Sequence, residues 1–194
     1  KILTQEEIDL VIDLYSQGEY HEAISQVKEL NKKYPNVPLL FNIIGACYKA
    51  LGQLNHAVKM FQSAVNLKPD YSEAYKNLGI TFKDLSLVDD AVKSFEKAIE
   101  FDSNNAVLHF YLANIFEELD QFENSISHHQ RAVEINPKFS ESFNNLGNVL
   151  TKNNRFDEAI ENYQYAIEIN PNFSEAYNNL GNVYKDLGKF QIGI

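Results

Sequence analysis

Between Ser72 and Asn105 the apolar positions fall into two runs with helical spacing. In the first, Tyr75, Leu78, Gly79 and Phe82 recur three and four residues apart, which places them on one face of a helix. In the second, Ala91, Phe95 and Ala98 form the equivalent face. The stretch 84–87 breaks the pattern and predicts a turn, and the polar FDSNN ends the second helix. Ser72 is expected to cap the N–H groups opening the first helix, and Glu73 suits the positive end of its dipole.

This two-helix pattern repeats. Pro35, Pro69, Pro137 and Pro171 lie 34 residues apart or a multiple of it, with Ser103 filling the gap. Around the prolines run near-copies: NLKPDYSEAYKNLG, EINPKFSESFNNLG and EINPNFSEAYNNLG. A fixed period of this length marks an array in which each unit buries its apolar face against the next. The register predicts one array over 1–194, with complete units at 4–37, 38–71, 72–105, 106–139 and 140–173 and a partial unit at 174–194. KFQIGI aligns with NRFDEAI, so the second helix of the last unit is expected only to begin. Leu180, Gly181 and Tyr184 would then lack part of their cover, and this end is expected to continue in a longer protein or to meet another chain.

Small residues recur at fixed places. Gly45, Gly79, Gly147 and Gly181, with Ala113, occupy one column of the first helices. Ala57, Ala91 and Ala159, then Ala64, Ala98, Ala132 and Ala166, recur in the second. A glycine inside a helix costs about 1 kcal/mol relative to alanine. Its recurrence predicts a close approach, with an aromatic ring of one helix lying over the missing side chain of its partner. Two units depart from the pattern. The first has Glu7 in the aromatic column and Val11 in the glycine column. The fourth has His109, Ala113, Asp120, Ser125 and His129 at signature places, which predicts looser packing or slightly displaced helices there.

The columns read Phe41, Ile44, Gly45, Tyr48, Ala57, Phe61 and Pro69 in one unit, and Phe143, Leu146, Gly147, Leu150, Ala159, Tyr163 and Pro171 in another. This resembles the tetratricopeptide repeat (TPR) over nearly the whole chain. The resemblance implies an all-α fold, a right-handed superhelical solenoid of antiparallel helix pairs whose first helices line a concave groove. It also implies a protein–protein interaction scaffold that binds a peptide or protein segment in that groove.

Carried through the register, the groove rows are apolar toward the N-terminus and rich in amides toward the C-terminus. The candidate peptide-binding residues are Asn42, Lys76, Asn77, Ile80, Phe110, Tyr111, Asn114, Asn144, Asn145, Asn148, Asn178, Asn179 and Asn182. An asparagine amide both donates and accepts, so rungs of asparagine suit an extended peptide of any sequence. The C-terminal units resemble the TPR domain of O-linked N-acetylglucosamine transferase and bacterial TPR proteins. In the transferase, the asparagine preceding the leucine of successive first helices forms a ladder holding substrate peptide. Asn77, Asn145 and Asn179 match that position, while Ile43 and Tyr111 interrupt it. The motif NNLGN would thus turn its Leu and Gly inward and its asparagines to the groove.

Composition narrows the partners. A formal net charge of −10 opposes a phosphate backbone, so no nucleic-acid partner is expected. No apolar run reaches the roughly 18 residues of a membrane span. Cys47 is the single cysteine and reads as a small buried hydrophobe, compatible with a reducing compartment. With no signal peptide in KILTQEEIDL, a cytoplasmic location is expected. His109, His128 and His129 lie close in the register, but no cysteine or carboxylate accompanies them at ligand spacing. His109 and His129 fall in aromatic columns and read as planar stand-ins in the core. No metal, cofactor or catalytic constellation is expected, and the segment is not read as an enzyme. The alternatives to a free-standing scaffold are the substrate-recruiting part of a longer glycosyltransferase or sulfotransferase, and a homo-oligomer assembly module with self-association through the chain ends.

Overall fold

The computed structural model describes residues 3–192, with side chains through residue 188. These residues form helices joined by short turns, with no strand among them. The chain divides into two compact units. Unit 1, through Ser103, holds α1 (Gln5–Ser16), α2 (Tyr20–Lys33), α3 (Pro38–Ala50), α4 (Leu54–Leu67), α5 (Ser72–Asp84) and α6 (Val88–Phe101). Unit 2, from Asn104, holds α7 (Ala106–Glu118), α8 (Phe122–Ile135), α9 (Ser140–Lys152), α10 (Phe156–Ile169) and α11 (Ser174–Ile192).

Within each unit the helices pack in sequence order, pair against pair, as the 34-residue register predicts. The connections within pairs are short, so paired helices run antiparallel. Each of these turns holds one residue in the left-handed region: Gly18, Gly52, Ser86, Asp120 and Asn154, with φ between 56° and 81°. Glycine adopts that conformation freely, and Asn and Asp tolerate it better than other residues. The next position in this column is Gly188, where the register places a turn before KFQIGI. There the expectation fails, because α11 continues through Gly188 to Ile192 without a break. A left-handed residue is held elsewhere by the following helix packing back on its partner. Residues 193 and 194, the end of that predicted helix, lie outside the described residues.

The predicted glycine–aromatic contacts are present. A Cβ added to Gly45 would stand 2.6 Å from the Phe61 ring, one on Gly79 2.7 Å from Phe95, and one on Gly147 2.6 Å from Tyr163. Real Cβ atoms do not approach so closely, so only glycine admits these rings. The remaining pairs keep the same complementarity with other residues. Unit 1 opens with Val11 and Val27 in the two columns, both fully buried in one cluster. In unit 2 the register pairs Ala113 with His129, and both are again fully buried. The methyl group of alanine takes room that the smaller five-membered ring gives back. The looser packing predicted for the fourth repeat is therefore not found: Leu108, Leu112, Ile115, Ser125 and Ala132 are buried as well.

Two polar expectations change. Ser72 does not cap α5; it is already inside the helix, and its hydroxyl donates to the Ala98 carbonyl at 2.9 Å, closing the last turn of α6. Glu7, alone among the aromatic-column residues, completes a capping box with Thr4 and accepts from Lys33 Nζ at 2.6 Å. The Lys33 ammonium, then the Thr4 backbone N–H, hold its carboxyl at about 2.

The histidines of unit 2 form a small polar inlay. His109 and His128 meet through their Nδ1 atoms at 2.9 Å, one donating and one accepting. His129 Nδ1 lies 3.1 Å from the Ser142 hydroxyl, while its Nε2 has no partner. Burial, reinforced by the neighbouring imidazole, pushes His128 down to about 4 and His129 to about 3.

Two outcomes follow from this packing. His129→Phe alone should lower stability by about 1–3 kcal/mol, the cost of overpacking against the Ala113 methyl. His129→Phe combined with Ala113→Gly should recover most of that loss in a denaturant-unfolding cycle, and strict additivity would contradict the pairing. The second outcome concerns acid. An unfolded histidine takes up a proton near pH 6.5, whereas the folded His128 and His129 refuse it until about 4 and about 3. Their contribution is thus complete above about pH 6.5 and is lost as pH falls through that window. Melting temperature followed from neutral pH downward should decline there, and less steeply in the variant that combines His129→Phe with Ala113→Gly.

Candidate functional site

The first helices of unit 2 present three rows of residues beside their core face, and the asparagines of NNLGN occupy all three. Their amides bond mainly to one another. Asn145 Nδ2 on α9 donates to Asn114 Oδ1 on α7 at 2.9 Å. Asn179 Nδ2 on α11 donates to Asn144 Oδ1 at 3.1 Å and to Asn148 Oδ1 at 2.9 Å on α9. Asn144 and Asn148 are one helical turn apart, so together they form a fork that receives the asparagine of the next repeat. Unit 1 has the same contact once, with Asn77 Nδ2 donating to Asn42 Oδ1 at 3.0 Å. The motif therefore ties successive first helices together, a role the sequence reading did not assign.

The rows differ in exposure. Asn144 is 1% exposed, its Nδ2 donating to Glu175 Oε1 at 3.0 Å, and Asn42 is 9% exposed. Phe110, in the same row, stacks near Phe139 and His129 with ring centroids 4.9 and 5.8 Å apart. Asn42 and Asn144 thus turn into the contact with the following first helix, whereas Phe110 is half-buried against a ring of α8 and a ring of the turn before α9. The row runs along the edge of the first helix that meets the next repeat. Lys76, also in this row, is half-buried and pairs with Glu73 at 2.7 Å. Asn77, Ile80, Tyr111, Asn114, Asn145, Asn148 and Asn179 are half-buried, and Asn178 and Asn182 are exposed.

Two clefts open on these faces. In unit 2, a cleft of about 330 Å³ is walled by Glu117, Asn148, Thr151, Lys152, Glu175, Asn179, Asn182 and Asp186, with Tyr163 and Val183 beneath. Tyr163 fills the aromatic column against Gly147 and reaches through to this side, where its hydroxyl donates to Asn148 Oδ1 at 2.8 Å and meets Thr151 Oγ1 at 3.2 Å. Lys152 Nζ bridges to Glu117 at 2.8 Å. In unit 1, a smaller cleft of about 210 Å³ is lined by Tyr15, Ala46, Lys49, Ala50, Phe61, Asn77 and Ile80. It contains no carboxylate, and Lys49 bridges to Asp84 at 3.1 Å on its edge.

Among the described residues no group of three or more His, Cys, Asp or Glu is placed to hold a metal ion. None of the helices described is long and apolar enough to cross a membrane. Cys47 is buried, and burial pushes its thiol up to about 11.

Comparison with known proteins follows the same register. A TPR-repeat family model matches residues 45–86 and 147–188, and further tetratricopeptide-repeat models match 72–105 and 130–161. Together they cover more than half of the chain. Anaphase-promoting complex subunit 3 of Dictyostelium discoideum is 34% identical over 59 residues, which are 30% of this chain and only 6% of that relative's length. Among solved structures, the MamA protein superposes with a TM-score of 0.74 at 27% identity, over 78% of this chain and 82% of its own. YrrB, described as a TPR protein with an unusual peptide-binding site, gives 0.73 at 22% identity over 84% of each chain. With the 34-residue register visible in its turns, its glycine–aromatic contacts and its family matches, the chain belongs to the tetratricopeptide-repeat family and is built as a protein-interaction scaffold.

Proposed function

We propose that the first-helix face of unit 2 holds an extended peptide segment of a partner protein. The observation that carries this reading is the open cleft over Tyr163, edged by amides on two successive first helices. Asn179 commits its N–H donors to Asn144 and Asn148, leaving its oxygen as an acceptor. Asn178 and Asn182 are exposed and have no hydrogen-bond partner among the described residues. An extended chain offers a donor and an acceptor at each residue, and amides meet either. The bonds among the asparagines hold this edge in place before a ligand arrives, which reduces the ordering cost of binding. YrrB, with its peptide-binding site, is a parallel in fold.

A second reading, self-association, is favoured by one observation on α11. Among the described residues nothing lies within 4 Å of a Cβ built on Gly181, and Tyr177 and Tyr184 are each 51% exposed. In the neighbouring repeats this column is covered by an aromatic ring.

Two measurements separate these readings. Asn182→Ala should weaken capture of peptides selected from a random heptapeptide display, while shifting stability by less than about 0.5 kcal/mol. Asn179→Ala should lower both, because it also removes two inter-helix hydrogen bonds of about 0.5–1.5 kcal/mol each. Unchanged capture by the Asn182 variant would remove the amides from the binding role. For self-association, sedimentation should show a concentration-dependent species that Tyr184→Glu abolishes; a monomer at every concentration excludes it.

A further inference from the structure

The floors of the two clefts differ at matching places in the register. In unit 1, Ala46 follows Gly45, and the Phe61 ring lies over that glycine. In unit 2, Asn148 follows Gly147, and the Tyr163 ring lies over it. An amide and a hydroxyl thus replace a methyl group and a bare ring edge together, and the two groups meet: the Tyr163 hydroxyl donates to Asn148 Oδ1 at 2.8 Å. The packing does not require that hydroxyl, since Phe61 fills the same place against Gly45 without one.

Asn148 has more capacity than this bond uses. Its oxygen also accepts from Asn179 Nδ2 at 2.9 Å, and two donors converging on one oxygen fix which way the amide points. Its amino group is left with no partner among the described residues, and it is not sealed from solvent. Tyr163 holds its proton, because burial, with the charges of Glu117 and Glu175 adding, raises it above the usual phenol range. With that proton given to Asn148, the hydroxyl oxygen remains an acceptor. Thr151 Oγ1, 3.2 Å away, donates its own proton to the Gly147 carbonyl at 2.8 Å. The floor therefore presents one fixed donor and one fixed acceptor side by side.

Each class of side chain meets this pair differently. Lysine and arginine carry donors only and cannot satisfy the amino group. A carboxylate accepts without donating, and Glu117 and Glu175 stand close enough to act on the same hydroxyl. An apolar side chain strips water from both groups and returns no hydrogen bond. A carboxamide is the complement: its oxygen accepts from Asn148 Nδ2 while its amino group donates to Tyr163 Oη.

We propose that the unit-2 cleft selects peptide segments carrying a glutamine or asparagine, whose side-chain carboxamide bonds to Asn148 Nδ2 and Tyr163 Oη on the cleft floor. This rests on the peptide-binding reading above and adds the chemical class of the side chain. Asn182 and the oxygen of Asn179 engage the flanking backbone, while Asn148 and Tyr163 choose the side chain. The unit-1 cleft, with Ala46 and Phe61 at the same places, has neither group.

The test uses the whole chain and pools of fluorescein-labelled heptapeptides with random flanks and a central residue fixed as Gln, Asn, norleucine, Glu or Lys. Fluorescence anisotropy should show the better of the Gln and Asn pools binding about tenfold more tightly than the norleucine, Glu and Lys pools. Tyr163→Phe, which copies the floor of unit 1, should bring that pool down to the level of the norleucine pool. Asn148→Ala, which copies Ala46, should do the same and gives the readout should the first variant melt early. Melting curves verify the fold of each. Asn182→Ala should instead weaken every pool by a similar factor, because it acts on the backbone. Binding of no pool would overturn both this proposal and the peptide-binding reading. Equal binding of all pools, tightest binding by the norleucine, Glu or Lys pool, or a carboxamide preference that survives the floor substitutions would overturn this proposal and leave peptide binding standing.

Discussion

The distance between paired helices is set by one contact, an aromatic ring pressed against a backbone that has no side chain. At Gly45, Gly79 and Gly147 the ring lies where a Cβ would be, and the helices close to the ring's thickness. A mid-helix glycine is unfavourable by itself, so the contact must return more than it costs; burying a large apolar side chain contributes about 1.5–3 kcal/mol. The variants of the contact follow the same rule of conserved volume. Val11 with Val27, and Ala113 with His129, divide the space differently and still exclude water from it. In unit 2 this close approach also shapes the surface. It lets Tyr163 extend past Gly147 so that its hydroxyl emerges on the far side as the floor of the cleft.

Much of this architecture is legible in the chain because it depends on periodicity. A glycine, an alanine and an aromatic residue recurring at 34 residues locate both helices and the face each buries. The turn column was equally open to reading: Gly18, Gly52, Asp120 and Asn154 are residues suited to the left-handed region, and Ser86 is the exception. Ser72 shows where local rules give way. Its type and position suit a cap, but the helix begins one residue earlier than a cap at Ser72 requires, and the hydroxyl serves the end of the neighbouring helix instead.

The asparagines mark a deeper limit. A helical wheel shows which row a residue occupies; it does not show whether the next helix stands close enough to take its hydrogen bonds. Asn144 and Asn145 are adjacent in sequence, yet one is buried toward α11 and the other reaches back to α7. Rungs read as free to hold a ligand are thus in large part already bonded to each other. Among the described residues of these rungs, the outer amides Asn178 and Asn182 have no hydrogen-bond partner.

That division of labour bears on how such a surface discriminates. The fork uses the oxygens of Asn144 and Asn148 internally and leaves the Asn179 oxygen as a fixed acceptor, which in the proposed peptide reading meets a backbone N–H without regard to sequence. The cleft of unit 2 is floored by a hydroxyl that reaches it only because Gly147 lets its ring through. The same residues that close the helix pair therefore shape the cleft floor. Replacing Gly147 by any larger residue would displace Tyr163 and disturb the core and the cleft together, so neither can be altered there without the other.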